Sequence, residues 1–159
     1  MIYVECYADE TLVQVVTKLP RRQIGHELKG KYGVAERLVS RSNVVGMIDE
    51  DPGKSQPRYL NGLHVAREIE EFGLRLLSDP RRGNHVVLLQ PRLEEWVLTA
   101  SQRNLVDIRD FGLPRNASEL HGIGKSERPK LEKLFGELDR LRSPWLTNLG
   151  ILLIDAHRS

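Results

Sequence analysis

Apolar side chains change from a strand-like run to a helical spacing within the first twenty residues. Residues 1–5 form a short run of apolar, β-branched and aromatic residues, which predicts a buried strand that ends at Glu5. From Asp9 onwards the spacing is helical, and Pro20 ends the pattern. The apolar stripe consists of Leu12, Val13, Val15, Val16 and Leu19. We therefore expect a strand, a short loop and a helix capped by Asp9.

A second helix and a second strand follow. Apolar residues at spacings of three and four predict an amphipathic helix around residues 34–39, and Asn43 ends it. Residues 44–48 are apolar without alternation, which is typical of a strand covered by helices on both faces. This strand ends in the acidic residues Asp49, Glu50 and Asp51, and a loop is predicted after them.

The second half of the chain carries shorter apolar runs separated by turn residues. Two of these runs flank the turn-rich segment 79–84, which predicts a β-hairpin. The predicted elements are a helix over 63–72, hairpin strands over 74–77 and 85–89, a helix opened by Pro91, an irregular region over 107–125, and helices over 128–141 and 144–153. This order predicts an α/β fold with a mainly parallel central sheet, flanking helices and an added antiparallel hairpin.

Length and composition suit a single domain. The chain has 159 residues, of which 40% are hydrophobic, so one core spanning residues 1–159 is expected. The 24 Lys and Arg residues nearly balance 22 Asp and Glu, and the net charge of +2 neither indicates nor excludes an anionic partner. One cysteine, Cys6, excludes an internal disulfide. Because no signal segment or membrane-length apolar run occurs, we expect a cytoplasmic protein without a membrane partner.

Three carboxylates follow the predicted central strands. In an open α/β sheet, functional groups lie beyond the carboxyl ends of the strands, where the loops leave a crevice. Glu5 and Asp49 end two strands, and Asp51 projects to the same side as Asp49 if strand geometry continues. Crowded carboxylates raise one another's pKa unless a cation lies between them. With no His or Cys pattern beside them, these oxygen ligands predict Mg²⁺ or Mn²⁺ rather than zinc.

Two segments resemble a known family. The runs VECYADETL, residues 4–12, and VVGMIDEDPG, residues 44–53, are similar to the acidic motifs of the TOPRIM domain of topoisomerases, bacterial primases and OLD-type nucleases. That family ends its first strand in a Glu, usually within Glu-Gly-x-x-Asp, and ends a later strand in Asp-x-Asp. The matching residues here are Glu5, Asp9, Asp49 and Asp51, and Cys6 stands where the family usually has glycine.

The resemblance covers roughly the first third of the chain. It implies a TOPRIM-like domain and Mg²⁺- or Mn²⁺-dependent cleavage of phosphodiester bonds in nucleic acid. Glu5, Asp9, Asp49 and Asp51 are then metal ligands, with Asp9 serving a second metal as in OLD-like nucleases, and Glu5 is also the catalytic residue that moves a proton. Nothing in the sequence indicates a motor or an extensive duplex-binding surface, so we expect a separate ATPase or nuclease partner chain to supply either one.

The same acidic residues are also compatible with structural roles. Asp51 begins an Asp-Pro-Gly turn, and Asp9 suits a helix cap. Cys6 in place of glycine favours a non-catalytic module that binds nucleic acid or protein. A phosphatase or phosphotransfer receiver domain also uses an acidic cluster, but the Asp and Lys that it needs are not found at matching positions. Glu5 is hardest to explain structurally, because a carboxylate at a buried strand end is costly unless it is paired.

The remaining motifs carry less information. The Gly-Lys-Ser tripeptides at 53–55 and 124–126 lack the earlier glycine of a phosphate-binding loop, which disfavours nucleotide binding of that type. The histidines show no ligand spacing: His26, His64, His85, His121 and His157. Glu94 and Glu95 open a predicted helix, where acidic side chains suit the helix dipole, and Glu95 is only a weak additional candidate for the site. Cys6 has no neighbouring His to activate it as a nucleophile.

Overall fold

A computed structural model describes residues 1–27 and 29–159 of the chain. Its strands are β1 Ile2–Val4, β2 Ile24–His26, β3 Val45–Asp49, β4 His64–Ile69, β5 Leu74–Asp79 and β6 Asn84–Leu89. Its α-helices are α1 Tyr7–Thr17, α2 Gly30–Ser40, α3 Leu93–Arg103, α4 Ala117–His121, α5 Arg128–Arg140 and α6 Pro144–Arg158. Short 3₁₀ turns connect several of these elements, including Lys125–Glu127 directly before α5.

The strands form one sheet in the order β2-β1-β3-β6-β5-β4. The pairs β2/β1, β1/β3 and β3/β6 are parallel, whereas β6/β5 and β5/β4 are antiparallel. The expected α/β class, the mainly parallel sheet and the added hairpin are therefore confirmed. Because β1 and β3 are neighbours and run in the same direction, the residues that follow them emerge at the same edge of the sheet.

Helices cover the two faces of the sheet, which explains the unbroken apolar run in β3. Val45 and Met47 face the larger core, to which α1, α3, α5 and α6 contribute. Ile48 faces the other side, where it packs with Val34 and Leu38 of α2. Successive side chains of a strand point to opposite faces. When both faces are buried, every position is apolar and the sequence shows no alternation of apolar and polar residues.

The prediction of a helix over residues 63–72 is wrong. The segment forms β4, an edge strand paired with β5, followed by a 3₁₀ turn at Glu70–Phe72. Val65 and Ile69 are four residues apart, a spacing that suits a helix face, but Val65 is 58% exposed and faces no core. The register between β4 and β5 shifts between Val65 and Arg67. Pairing with β5, which the local sequence does not encode, decides the conformation.

Smaller differences concern the starts of elements. The strand β2 was not among the predicted elements, and it consists of three residues paired with β1. Helix α1 begins at Tyr7 with Cys6 at the N-cap position, so Asp9 lies within its first turn and is not the cap. Helix α3 begins at Leu93 rather than at Pro91. The region expected to be irregular contains α4, which carries His121.

Among the helices of the described residues, none combines the length and the apolar character needed to cross a lipid bilayer.

Candidate functional site

Glu5 lies just beyond β1, at the edge where the parallel strands end. Its Oε2 atom accepts the backbone N–H of Asp49 at 2.7 Å. Burial raises the pKa of Glu5, and the charge of Asp51 adds to this effect. The Asp49 N–H and the Lys31 ammonium act in the opposite direction, but the net direction is upward. The two strand ends that the sequence marks with Glu5 and Asp49 therefore meet, through a direct contact between the Glu5 carboxylate and the Asp49 backbone.

Asp49 is the last residue of β3 and connects this strand to α3. Its Oδ1 atom accepts the backbone N–H of Leu93, the first residue of α3, at 2.9 Å, which leaves Oδ2 for another partner. Burial is the largest cause of a raised pKa at Asp49, followed by the charges of Asp9, Glu5 and Glu94. The carboxyl is thus held in place by a helix N-terminus while other carboxylates surround it.

Asp9 reaches the same place from the first turn of α1. The residue is 3% exposed, and its Oδ2 accepts the Cys6 thiol at 3.1 Å. Burial raises its pKa most, and Glu5 and Glu94 raise it further. Burial and the Asp9 charge also raise the pKa of the Cys6 thiol far above its ordinary value, so Cys6 stays protonated and is a poor nucleophile.

Glu94 is a member of the site for which the sequence pattern indicated only a place in a helix turn. It is buried in the first turn of α3, and its Oε1 lies 2.8 Å from Nδ1 of His121, whose side chain is 80% exposed. The sheet topology could have indicated the place of Glu94, because β6 pairs in parallel with β3 and Asp49 is opposite Leu89. Residues soon after β6 must therefore emerge beside Asp49. We call Glu5, Asp9, Asp49 and Glu94 the carboxylate cluster.

Asp51 lies next to the cluster but is bound to cationic side chains. Its Oδ2 is 3.1 Å from Nζ of Lys31, and its Oδ1 is 3.0 Å from Nε of Arg92. Although burial alone would raise it, the pKa of Asp51 is lowered by Lys31, Lys54 and Arg92. Asp51 has a φ of 49°, so strand geometry does not continue to this residue, and its position comes from the turn and the ion pairs.

Glu95, the weaker sequence candidate, points to a different partner from its neighbour Glu94. Its Oε1 pairs with Nη1 of Arg92 at 3.0 Å. Its Oε2 is buried and has no hydrogen-bond partner among the described residues. Glu95 lines the same cavity as Asp51 without belonging to the carboxylate cluster.

Two adjoining cavities, each of about 300 Å³, open at the carboxylate cluster. Both are lined by Glu5, Asp49, Glu94 and His121. One of them, which we call the Lys125 cavity, is also lined by Asp9, Tyr7, Gly124, Lys125 and Arg128. The other, the Lys54 cavity, is also lined by Asp51, Lys54, Arg92, Glu95 and Ser118. The cluster is therefore accessible from two sides.

Larger cavities lie elsewhere but bring no acidic groups together. One of about 520 Å³ contains Asp107, which is ion-paired with Arg109 at 2.7 Å. Another of about 670 Å³ contains Asp79, which accepts the Tyr59 hydroxyl at 2.7 Å. Neither has the convergent, perturbed carboxyls that mark a candidate site. The carboxylate cluster is therefore the best candidate despite its smaller cavities.

The carboxylate cluster offers oxygen atoms as ligands, which suit Mg²⁺ or Mn²⁺. Among residues 1–27 and 29–159, no three His, Cys, Asp or Glu side chains are arranged so that they would hold one metal ion together. Mg²⁺ commonly uses one or two protein carboxylates and keeps several water ligands, and carboxylate oxygens suit Mg²⁺ and Mn²⁺. Glu5 and Asp49 carry carboxylates of the type that such a water-rich site uses, whereas a cage of three protein ligands is not formed within the described residues.

Comparisons of the chain with protein-family models, with curated proteins and with solved structures each give no significant match. The likeness to TOPRIM domains therefore stays a prediction from residues 4–12 and 44–53.

Proposed function

We propose that this chain is a TOPRIM-like nuclease or nuclease subunit that cleaves phosphodiester bonds in nucleic acid with Mg²⁺ or Mn²⁺. One observation carries the proposal. Carboxylates from three separate stretches of chain, which together supply the members of the carboxylate cluster, converge at an accessible sheet edge, and the pKa values of Glu5, Asp9 and Asp49 are raised by burial and by neighbouring carboxylates. Such crowding is unfavourable unless a proton or a cation compensates it.

The chemistry follows from this electrostatic arrangement. A bound divalent ion supplies Lewis acidity and an activated water to a phosphoryl group. Asp49, whose Oδ1 is fixed by the Leu93 N–H, lines both cavities and is a ligand of the ion. Glu5, fixed by the Asp49 N–H, binds the ion or holds a proton beside it. Asp9 is the ligand for a second ion, and Asp51 holds the buried Lys31 and orients Arg92, which lines the Lys54 cavity.

A partner chain is part of the proposal. Both Gly-Lys-Ser tripeptides lie in irregular segments or 3₁₀ turns and not in a strand-to-helix phosphate-binding loop. An ATP-driven motor therefore comes from a separate ATPase chain if the activity requires one. A single cysteine in the sequence suits a reducing cytoplasm.

The test is a cleavage assay with the purified chain. Supercoiled plasmid, single-stranded DNA and RNA are incubated with Mg²⁺, with Mn²⁺ or with chelator. We expect metal-dependent cleavage that falls to the chelator level in Glu5→Gln and Asp49→Asn. Asp155→Asn, an exposed position on α6 away from the cluster, is the matched control and keeps full activity. Circular dichroism melts establish that each variant is folded.

A second candidate function is a non-catalytic module that binds nucleic acid or protein. It is favoured by the hydrogen bonds of Glu5 and Asp49 to backbone N–H groups, which give both carboxylates a structural role, and by Cys6 at the glycine position. Nucleic-acid binding without metal-dependent cleavage, in a protein whose variants all fold, would support this function and contradict the nuclease.

A further inference from the structure

The two Gly-Lys-Ser tripeptides, which do not form phosphate-binding loops, both lie at the carboxylate cluster. Lys54, from the tripeptide at 53–55, lines the Lys54 cavity. Gly124 and Lys125, from the tripeptide at 124–126, line the Lys125 cavity. Segments separated by about 70 residues of sequence thus place one lysine in each of two cavities that share the same acidic wall.

Lys54 is available to an anionic ligand. Its side chain is 66% exposed, and its nearest acidic partner, Oδ1 of Asp51, is 4.0 Å away. Asp51 already has closer partners in Lys31 and Arg92. The preceding Gly53 has a φ of 85°, and a side chain there would meet no atom within 4 Å. The backbone next to Lys54 is therefore not crowded by other atoms.

Lys125 is equally available in the other cavity. It is exposed, and within the part of the chain that the structure describes it forms no salt bridge. Its Nζ lies 5.2 Å from the centre of the Tyr7 ring. Tyr7 itself lines the cavity and packs edge-on against His26. An ammonium beside an aromatic ring is a combination that binds single-stranded nucleic acids, since bases stack on the ring and phosphates pair with the cation.

The charges that line the two cavities indicate which kind of anion can bind in both. An isolated phosphate at the cluster would meet the acidic side chains first and would need only one of the two lysines. A polymer with a phosphate at every unit would instead extend past the acidic wall into both cavities, where each lysine would neutralise one flanking phosphate. Cavities of about 300 Å³ each are at the small end for ligand pockets, which suits single nucleotides of a strand rather than a duplex.

We infer that the Lys54 and Lys125 cavities together bind a single strand of nucleic acid, so that the carboxylate cluster faces an internal phosphodiester bond and the two lysines contact the phosphates on either side. This inference rests on the proposed function for the reaction, and it adds the substrate class and the two residues that position it.

The test measures binding and cleavage separately. Fluorescently labelled twelve-residue strands of DNA and of RNA are titrated with protein in Ca²⁺ at several salt concentrations, and a gel verifies that the strand stays intact. The slope of log K against log salt for single strands is about −0.7 for each neutralised phosphate. We therefore expect the slope to become less negative by about 0.7 in Lys54→Gln and in Lys125→Gln, and by about 1.4 in the double variant.

Lys133→Gln is the matched control, because Lys133 is an exposed lysine on α5 outside both cavities. It should leave the affinity and its slope unchanged. Slopes equal to wild type in both cavity variants, or a loss of the same size in Lys133→Gln, would overturn the inference. Tighter binding of a duplex than of a single strand of the same sequence would overturn it as well.

A circular single-stranded DNA tests whether the bond is internal. We expect the circle to be opened in Mg²⁺ or Mn²⁺, more slowly in both lysine variants than in Lys133→Gln. Degradation of linear strands with an intact circle would contradict cleavage at an internal bond. If neither substrate is cleaved but both lysines control the salt slope, the nuclease proposal fails and strand binding stands, so that the two failures are distinguishable.

Discussion

At the scale of single residues, the acidic side chains of the site have two roles at once. Glu5 connects the end of β1 to β3 through the Asp49 N–H, and Asp49 connects β3 to α3 through the Leu93 N–H. Amide replacements keep an oxygen that accepts these hydrogen bonds but remove the charge. Glu5→Gln and Asp49→Asn are therefore better probes of charge than alanine replacements, which would leave backbone donors without a partner.

Asp9→Asn should stabilise the metal-free protein at alkaline pH. The folded pKa of Asp9 is raised above the unfolded value by burial and by Glu5 and Glu94, so the native state binds the proton more tightly. The stability that this carboxyl contributes is present below pH ~4 and is lost as the pH rises through the folded pKa. In chelator at pH 8, we expect a melting temperature about 3 °C above wild type, equivalent to ~1 kcal/mol.

The same comparison at pH 5 provides the internal check. Most of the stability change is then absent, so the difference between Asp9→Asn and wild type should shrink. Asp155→Asn, whose side chain is exposed, should follow wild type at both pH values. A variant that is less stable than wild type at pH 8 would show that the hydrogen bond from Cys6 outweighs the repulsion within the cluster.

At the scale of elements, helices were predictable from the spacing of apolar residues, whereas two strands depend on their pairing in the sheet. The amphipathic stripes of α1, α2 and α5 were predicted from spacing alone, and each faces the core as expected except at Val39 of α2, which is 47% exposed. The strands β4 and β2 were not predicted. β4 is an exposed edge strand and β2 has only three residues, and each is stabilised by pairing with a neighbouring strand. Pairing with another strand is not visible in the apolar pattern of the segment itself.

Two glycines in helices test this packing. In α6, a Cβ at Gly150 would lie 2.7 Å from the backbone oxygen of Val16 in α1, which cannot move aside as a side chain can. In α5, a Cβ at Gly136 would meet no atom within 4 Å. Gly150→Ala should therefore reduce the free energy of unfolding by about 1 to 3 kcal/mol, whereas Gly136→Ala should raise it by up to ~1 kcal/mol.

Urea denaturation followed by circular dichroism measures both changes. The pair is matched, since each variant replaces a helical glycine by alanine and gains the same intrinsic helix propensity. Equal effects in α5 and α6 would mean that the close approach of α1 and α6 does not limit the side chain at position 150.

At the scale of the whole molecule, the fold assembles charges that repel one another. Each member of the carboxylate cluster comes from a different place in the chain: the end of β1, the first turn of α1, the end of β3 and the first turn of α3. The core beneath the sheet provides the free energy that holds them together. A protein of this kind should be more stable when a divalent cation is bound.

Mg²⁺ should raise the melting temperature more at pH 8 than at pH 5. Protons compete with metal for Glu5, Asp9 and Asp49, whose raised pKa values keep them partly protonated at low pH. With the ion at about 100 times its Kd, the gain is about 2.7 kcal/mol, and chelator should reverse it. Differential scanning calorimetry measures the shift.

Asp49→Asn separates specific binding from a general salt effect. This variant should lose most of the Mg²⁺-dependent shift at pH 8, while Asp155→Asn should keep it. An equal shift in both variants, or the same shift at pH 5 and pH 8, would contradict binding at the carboxylate cluster.

The sequence by itself determined the α/β class and the positions of Glu5 and Asp49 at strand ends, because strand burial follows from local apolar patterns and general rules of sheet construction. Only the tertiary structure decided that Glu94 joins them, that Asp51 is neutralised by Lys31 and Arg92, and that Lys54 and Lys125 lie in adjoining cavities. These are contacts between segments far apart in the chain, and the free energy of such contacts depends on distances that no local pattern contains.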